Sequence, residues 1–223
     1  MTSPRFYAGI GSEQTPPWTM QLMTQLAIKL AHRGVWLRSG GARGADQAFE
    51  QGLHQSIHPS FGQIFLASNH ACPATPEPTT LIRPKDLTQT WHQASAIAQD
   101  IHPNWPAVQS KGFESYLIRD VYQILGPNLD DPVSFVLMWA KGMTFEGERI
   151  INVPGGTGQA VRLAAQRGIP IYHLGHAPHL CMALDWTHMK PEAEGLEVLS
   201  RHPQGQAWLE QHLPQGSKIG LSR

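Results

Sequence analysis

Two stretches decide the fold: Tyr7-Ala8-Gly9-Ile10-Gly11-Ser12, and Leu37-Arg38-Ser39-Gly40-Gly41-Ala42-Arg43-Gly44-Ala45-Asp46. Each joins a short apolar run to a glycine-bearing turn that leads into a segment with helical spacing. Phe6-Tyr7-Ala8 reads as a strand. After Thr15-Pro16-Pro17, the positions Met20, Met23, Leu26, Ala27 and Leu30 predict a helix from Trp18 to Arg33, which Gly34 stops. Val35-Trp36-Leu37 is the second strand, a second helix runs from Ala45 to about Leu53, and Gln63-Ile64-Phe65-Leu66 is the third strand.

Further along, a stretch rich in Pro, Thr and Asn at 68–86 marks a loop or insertion. Helices are predicted near 87–101 and 113–125, with the turn His102-Pro103-Asn104-Trp105-Pro106 between them. Val133 to Ala140 is a continuous apolar run of the kind that both faces of a parallel sheet cover. A third glycine turn, Asn152-Val153-Pro154-Gly155-Gly156-Thr157-Gly158, precedes a helix from Gln159 to Arg167, and Ile169–Leu174 is the last core strand. This alternation predicts an α/β, Rossmann-like, doubly wound and mostly parallel sheet. Residues 1–180 are expected to form that domain, with an insertion at about 68–112. Residues 181–223 are expected as a C-terminal extension packed on it, with a short helix near 204–212.

Composition narrows the function. Of 223 residues, 41% are hydrophobic and 15% charged, and Lys+Arg and Asp+Glu both total 17. A formal charge of zero excludes the basic coat that grips long nucleic acids through many phosphates. The start, MTSPRFYAGIG, has no apolar signal-peptide core, and no run approaches the ~20 apolar residues of a spanning helix. Cys72 and Cys181 form no CxxC pair and read as free thiols. A cytoplasmic protein is expected.

In an open α/β sheet, ligands collect beyond the carboxyl ends of the strands. Glycine lets backbone N–H groups approach a phosphate, and a helix N-terminus adds partial positive charge. The turns holding Gly9, Gly11 and Ser12, then Ser39, Gly40, Gly41, Arg43 and Gly44, then Gly155, Gly156, Thr157 and Gly158, are therefore expected to line one phosphate pocket. Ser12 and Ser39 offer hydroxyls, and Arg43 offers a guanidinium for two parallel hydrogen bonds to one phosphate. Arg38 points either into the crevice or into solvent. Asp46 either caps the second helix or contacts a ribose hydroxyl. Arg119 and Asp120 read as an ordinary solvated pair on a helix. His173, His176, His179 and Cys181 lie close in sequence, but their spacing matches no zinc pattern. No metal and no cofactor is expected. Trp105 is expected to pack the insertion onto the sheet, with base stacking as the other reading, and Trp139 to belong to the core.

The two glycine stretches resemble the DprA/Smf family, part of the SLOG superfamily, which carries a similar Ser-Gly-Gly-Ala-Arg-Gly-hydrophobic-Asp stretch. Tyr122-Gln123-Ile124-Leu125-Gly126-Pro127, Gly155–Ala164 and Gly168–Ile171 resemble the small stand-alone DprA-like proteins of phages and prophages. The resemblance covers roughly residues 6–174, and the tail has no winged-helix look. It implies a non-catalytic protein binding a nucleotide, a nucleotide-derived signal or a short single-stranded DNA segment, with a homo-oligomer expected. The related LOG phosphoribohydrolases imply the alternative, an N-glycosidase acting on nucleoside monophosphates. Their signature Pro-Gly-Gly-x-Gly-Thr-x-x-Glu falls on Pro154–Gly158, which puts Gln159 at its threonine and Arg162 at its glutamate. A glycosidic cleavage needs a carboxylate, so the reading then requires Glu146, Glu148 or Asp120 to supply one.

Overall fold

A computed structural model describes residues 4–67, 79–108, 110–146, 149–153 and 155–213. Cys72, Glu148 and Pro154 lie outside the described residues, as does most of the Pro- and Thr-rich stretch.

The strands are β1 (Arg5–Gly11), β2 (Val35–Ser39), β3 (Gly62–Phe65), β4 (Thr80–Ile82), β5 (Val136–Trp139), β6 (Thr144–Glu146), β7 (Arg149–Asn152) and β8 (Ile171–His173). The helices are α1 (Pro17–His32), α2 (Ala45–Gln55), α3 (Thr88–Ile101), α4 (Lys111–Leu125), α5 (Thr157–Gln166), α6 (Ala177–Thr187), α7 (Ala193–Ser200) and α8 (Pro203–His212). Six strands form one all-parallel sheet in the order β4-β3-β2-β1-β5-β8, while β6 and β7 pair as a separate antiparallel hairpin. This is a doubly wound, Rossmann-like α/β fold, as expected from the strand–glycine–helix recurrence.

Alternation along the strands builds a core on each face, because successive side chains of a strand point to opposite sides. In β1, Phe6, Ala8 and Ile10 join the cluster under α3, α4 and α5. Tyr7 joins the opposite cluster, under α1, α2 and the three C-terminal helices. In β5, Val136 and Met138 face the first cluster and Leu137 the second. Pro17 sits in the first turn of α1, where its missing N–H costs nothing. Beyond it, Leu22, Met23, Leu26, Ala27 and Leu30 form the buried stripe.

Segment 79–112 adds β4 at the sheet edge and α3 beside α4 and α5, and Trp105 packs against the core on that face. The C-terminal helices also enter a core: Leu180, Leu184, Leu199 and Leu209 are buried with Trp18 and Leu22 of α1. Trp139 is only partly buried, stacked near His173 at 6.4 Å. From β1 the chain winds outward through β2, β3 and β4, then returns to the other side of β1 as β5. The winding reverses between β1 and β5, which is where such a sheet opens a crevice.

Candidate functional site

A cleft of about 570 Å³ opens at the carboxyl ends of β1 and β5. Gly11 ends β1 and Ser12, Glu13 and Gln14 follow it, and Ala140 and Lys141 follow β5. Gly155, Gly156 and Thr157 come from the start of α5, and Ala42 and Asp46 from the approach to α2. The remaining wall is one face of α4: Phe113, Tyr116, Arg119, Asp120 and Gln123, at helical spacing from mouth to floor.

Three buried charged side chains organise the floor. Arg119 Nε donates to Asp120 Oδ1 at 3.0 Å, and its Nη1 donates to the Gly40 carbonyl at 2.7 Å and lies 3.6 Å from Asp46 Oδ2. Gln123 donates to Asp120 Oδ1 at 3.0 Å and accepts from the Gly40 N–H at 2.8 Å. Both carboxyls have raised pKa values. Burial pushes Asp46 up to about 6, against the pull of Arg119 and of backbone N–H groups at Ala42, Gly11 and Gly40. Burial pushes Asp120 up to about 7, with Asp46 adding to the rise and Arg119 opposing it. Arg119 and Asp120 are therefore not the solvated pair the sequence suggests; both are buried and line the cleft.

The expected residues of the three glycine turns divide by how their polar groups are used. In the second turn the amides serve the fold. Gly40 N–H goes to Gln123, Gly41 N–H to Glu50 Oε1 at 2.9 Å, and Ala42 N–H to Asp46 Oδ2 at 3.3 Å. A Cβ on Gly40 would collide with the Arg119 guanidinium, which lies against this backbone. Ser39 Oγ donates to the Gly9 carbonyl at 2.8 Å and is fully buried. Gly9 packs on Phe49 and Leu37, Gly11 fits between Trp139 and Ala45, and Gly44 lies against Ser12 and Glu13. Ser12 Oγ accepts from the Gln14 N–H at 3.0 Å.

Arg38 points neither to the crevice nor to solvent. It is buried, with Nε on Gln63 Oε1 at 2.9 Å, Nη2 on Asp131 Oδ2 at 2.6 Å, and its guanidinium 3.8 Å from the centre of the Phe6 ring. Arg43 is exposed and is not among the cleft-lining residues.

The third turn differs. Gly155 and Gly156 are exposed to the cleft, and a Cβ on either would meet nothing within 4 Å. Gly158 lies beneath, against the Val153 carbonyl and Arg162. Gln159 is buried and donates to the Ala98 carbonyl at 2.7 Å, and Arg162 Nη2 donates to the Val153 carbonyl at 2.9 Å. At the position of the LOG glutamate this chain thus has a guanidinium that ties down the turn before α5. Two residues after β5, Lys141 is exposed at the cleft edge.

His173 supports the cleft from behind. The Gly175 N–H donates to its Nδ1 at 3.0 Å, and its Nε2 lies against the Ala140 backbone, 3.0 Å from the amide nitrogen and 3.1 Å from the carbonyl. Among the described residues, no group of three His, Cys, Asp or Glu side chains is placed to hold a metal ion, and no helix is long and apolar enough to cross a membrane.

No family model matches the chain, and no curated protein matches it. Among solved structures, DNA processing protein A from Helicobacter pylori, described for its mode of binding single-stranded DNA, is similar with a TM-score of 0.40 and 14% identity, over 94% of this chain and 80% of that one.

Proposed function

We propose that the chain is a nucleotide-binding protein whose cleft takes a phosphate at the start of α5, as a mononucleotide, a nucleotide-derived signal or the end of a short single strand. One contrast carries the reading. The floor sets two carboxyls against one engaged cation and its amides are engaged, whereas Gly155 and Gly156 stand open at a helix N-terminus with Lys141 at the same cleft. Such an end attracts an anion through its dipole and its first N–H groups. Equal numbers of acidic and basic residues favour a compact ligand over a long polymer footprint.

Gly156→Asp tests this seat. Gly156 has φ −62° and ψ −41°, and a side chain there meets open space, so the variant should fold and melt like the parent. Its carboxylate would occupy the anion position and repel a phosphate. Titration of the four nucleoside 5′-monophosphates, a cyclic dinucleotide and a short oligothymidylate at two salt concentrations should show binding by the parent and at least a ten-fold loss in the variant. Oligonucleotide affinity should fall only shallowly with salt. Equal binding by parent and variant, or no binding by the parent, would refute the seat.

A second reading is supported by Asp120. A carboxyl held near 7 inside a cleft is matched to proton transfer at neutral pH. It could serve the nucleoside monophosphate glycosidase in place of the carboxylate missing at Arg162. Release of free base that disappears in Asp120→Asn would establish the enzyme; binding without release would establish the binding protein.

A further inference from the structure

We infer that the α4 wall makes the cleft selective for ribonucleotides over deoxyribonucleotides: Phe113 and Tyr116 stack on the base, and the floor carboxyls Asp120 and Asp46 accept hydrogen bonds from the sugar hydroxyls. The inference rests on the reading of the cleft as a nucleotide site.

Phe113 and Tyr116 are 43% and 41% exposed, among the few large apolar side chains left to solvent in the described residues, and both line the cleft. Neither belongs to a core cluster. An aromatic pair at a cleft mouth is a stacking surface open to any base, since every base has a π-face. The Arg119 guanidinium lies 5.6 Å from the centre of the Tyr116 ring and braces it from the floor side.

The chemistry changes down the helix. Asp120 is one turn beyond Tyr116, about 6 Å along the axis. There Arg119 is already shared between Asp120, the Gly40 carbonyl and Asp46. A phosphate placed on this floor would meet two carboxyl groups facing a single, engaged cation. What the floor offers instead is acceptor oxygen, which suits a neutral group rich in O–H donors. A ribose beside a stacked base is such a group, with its 5′-phosphate left to reach the start of α5. A deoxyribose lacks one donor, and a buried acceptor without its donor is costly.

The test uses the full chain with AMP, dAMP, ribose 5-phosphate and inorganic phosphate as probes, read by calorimetry, and repeats the ribo/deoxy pair with the other three bases. AMP should bind at least ten-fold tighter than dAMP, and about ten-fold tighter than ribose 5-phosphate. Tyr116→Ala should lower AMP affinity at least three-fold towards that of ribose 5-phosphate, with Phe113 left to stack, while leaving ribose 5-phosphate unchanged. Asp120→Asn should narrow the AMP/dAMP gap to within about three-fold; if that variant does not fold, the parent's panel and Tyr116→Ala decide. Equal affinities for AMP and dAMP, or for AMP and ribose 5-phosphate, would overturn the inference and leave nucleotide binding standing. Failure of every phosphate ester to bind would overturn the reading beneath it.

Discussion

Burial moves the Asp120 carboxyl further than Arg119, in contact at 3.0 Å, moves it back, and the same holds for Asp46. A carboxyl raised from about 4 in the unfolded chain to 6 or 7 in the fold takes up protons on folding across that interval. Its contribution to stability is therefore full below about pH 4 and is lost as pH rises through 6 and 7. Asp120→Asn removes one of the two titrations while keeping the shape of the side chain. The melting temperature of this variant should depend less steeply on pH between 5 and 8 than that of the parent. An unchanged slope would mean that Asp120 is already ionised in the fold. Nothing local in the sequence announces this pair: Arg-Asp in mid-helix is normally solvated, and only the approach of the Gly40 backbone and Asp46 from α2 buries it.

The turn from β8 into α6 shows the opposite sign. His173 is buried, and burial together with His179 and His176 lowers its pKa to about 4, although the Ala140 backbone opposes the shift. The charged ring would also carry a proton on both nitrogens, where the N–H groups of Gly175 and Ala140 already point. The neutral ring therefore contributes stability that is fully present above about 6.5 and lost as pH falls through 4, by about 3 kcal/mol for a shift of this size. Thermal unfolding of His173→Gln should show lower stability at pH 7 and a weaker fall between pH 6 and 4; a parent-like acid limb would exclude His173 as its source. Sequence spacing matches no zinc pattern at this histidine and does not reveal its role. That role depends on β8 lying beside β5, where Ala140 comes within reach.

At the scale of the molecule, the C-terminal helices complete the core on one face of the sheet. Leu199 is fully buried in the cluster with Trp18 and Leu22, and the Trp18 indole N–H donates to the Lys190 carbonyl at 3.3 Å. Leu199→Ala should cost about 2–5 kcal/mol and shift one cooperative transition as a whole. A separate early transition in calorimetry would instead make α7 and α8 an independent unit. Gly195 and Gly205 fall inside α7 and α8 rather than between elements, and periodicity there is weak, so these two helices were less legible than those of the sheet.

The architecture was legible in the chain alone: apolar runs of strand length, glycine turns and amphipathic helices, alternating through its first third and again around Gly155, admit a doubly wound sheet and little else. The sequence also marked the carboxyl edge as the place for a site, because that edge is where the glycine turns fall. Tertiary structure decided which turn is open. The glycines at 40 and 41 and those at 155 and 156 look alike in the chain, yet the first pair is held by Gln123, Glu50 and Arg119 while the second faces the cleft. Whether a backbone N–H is free to bind a ligand depends on what packs beside it, and here those neighbours come from residues up to 83 positions away along the chain, since Gln123 holds Gly40.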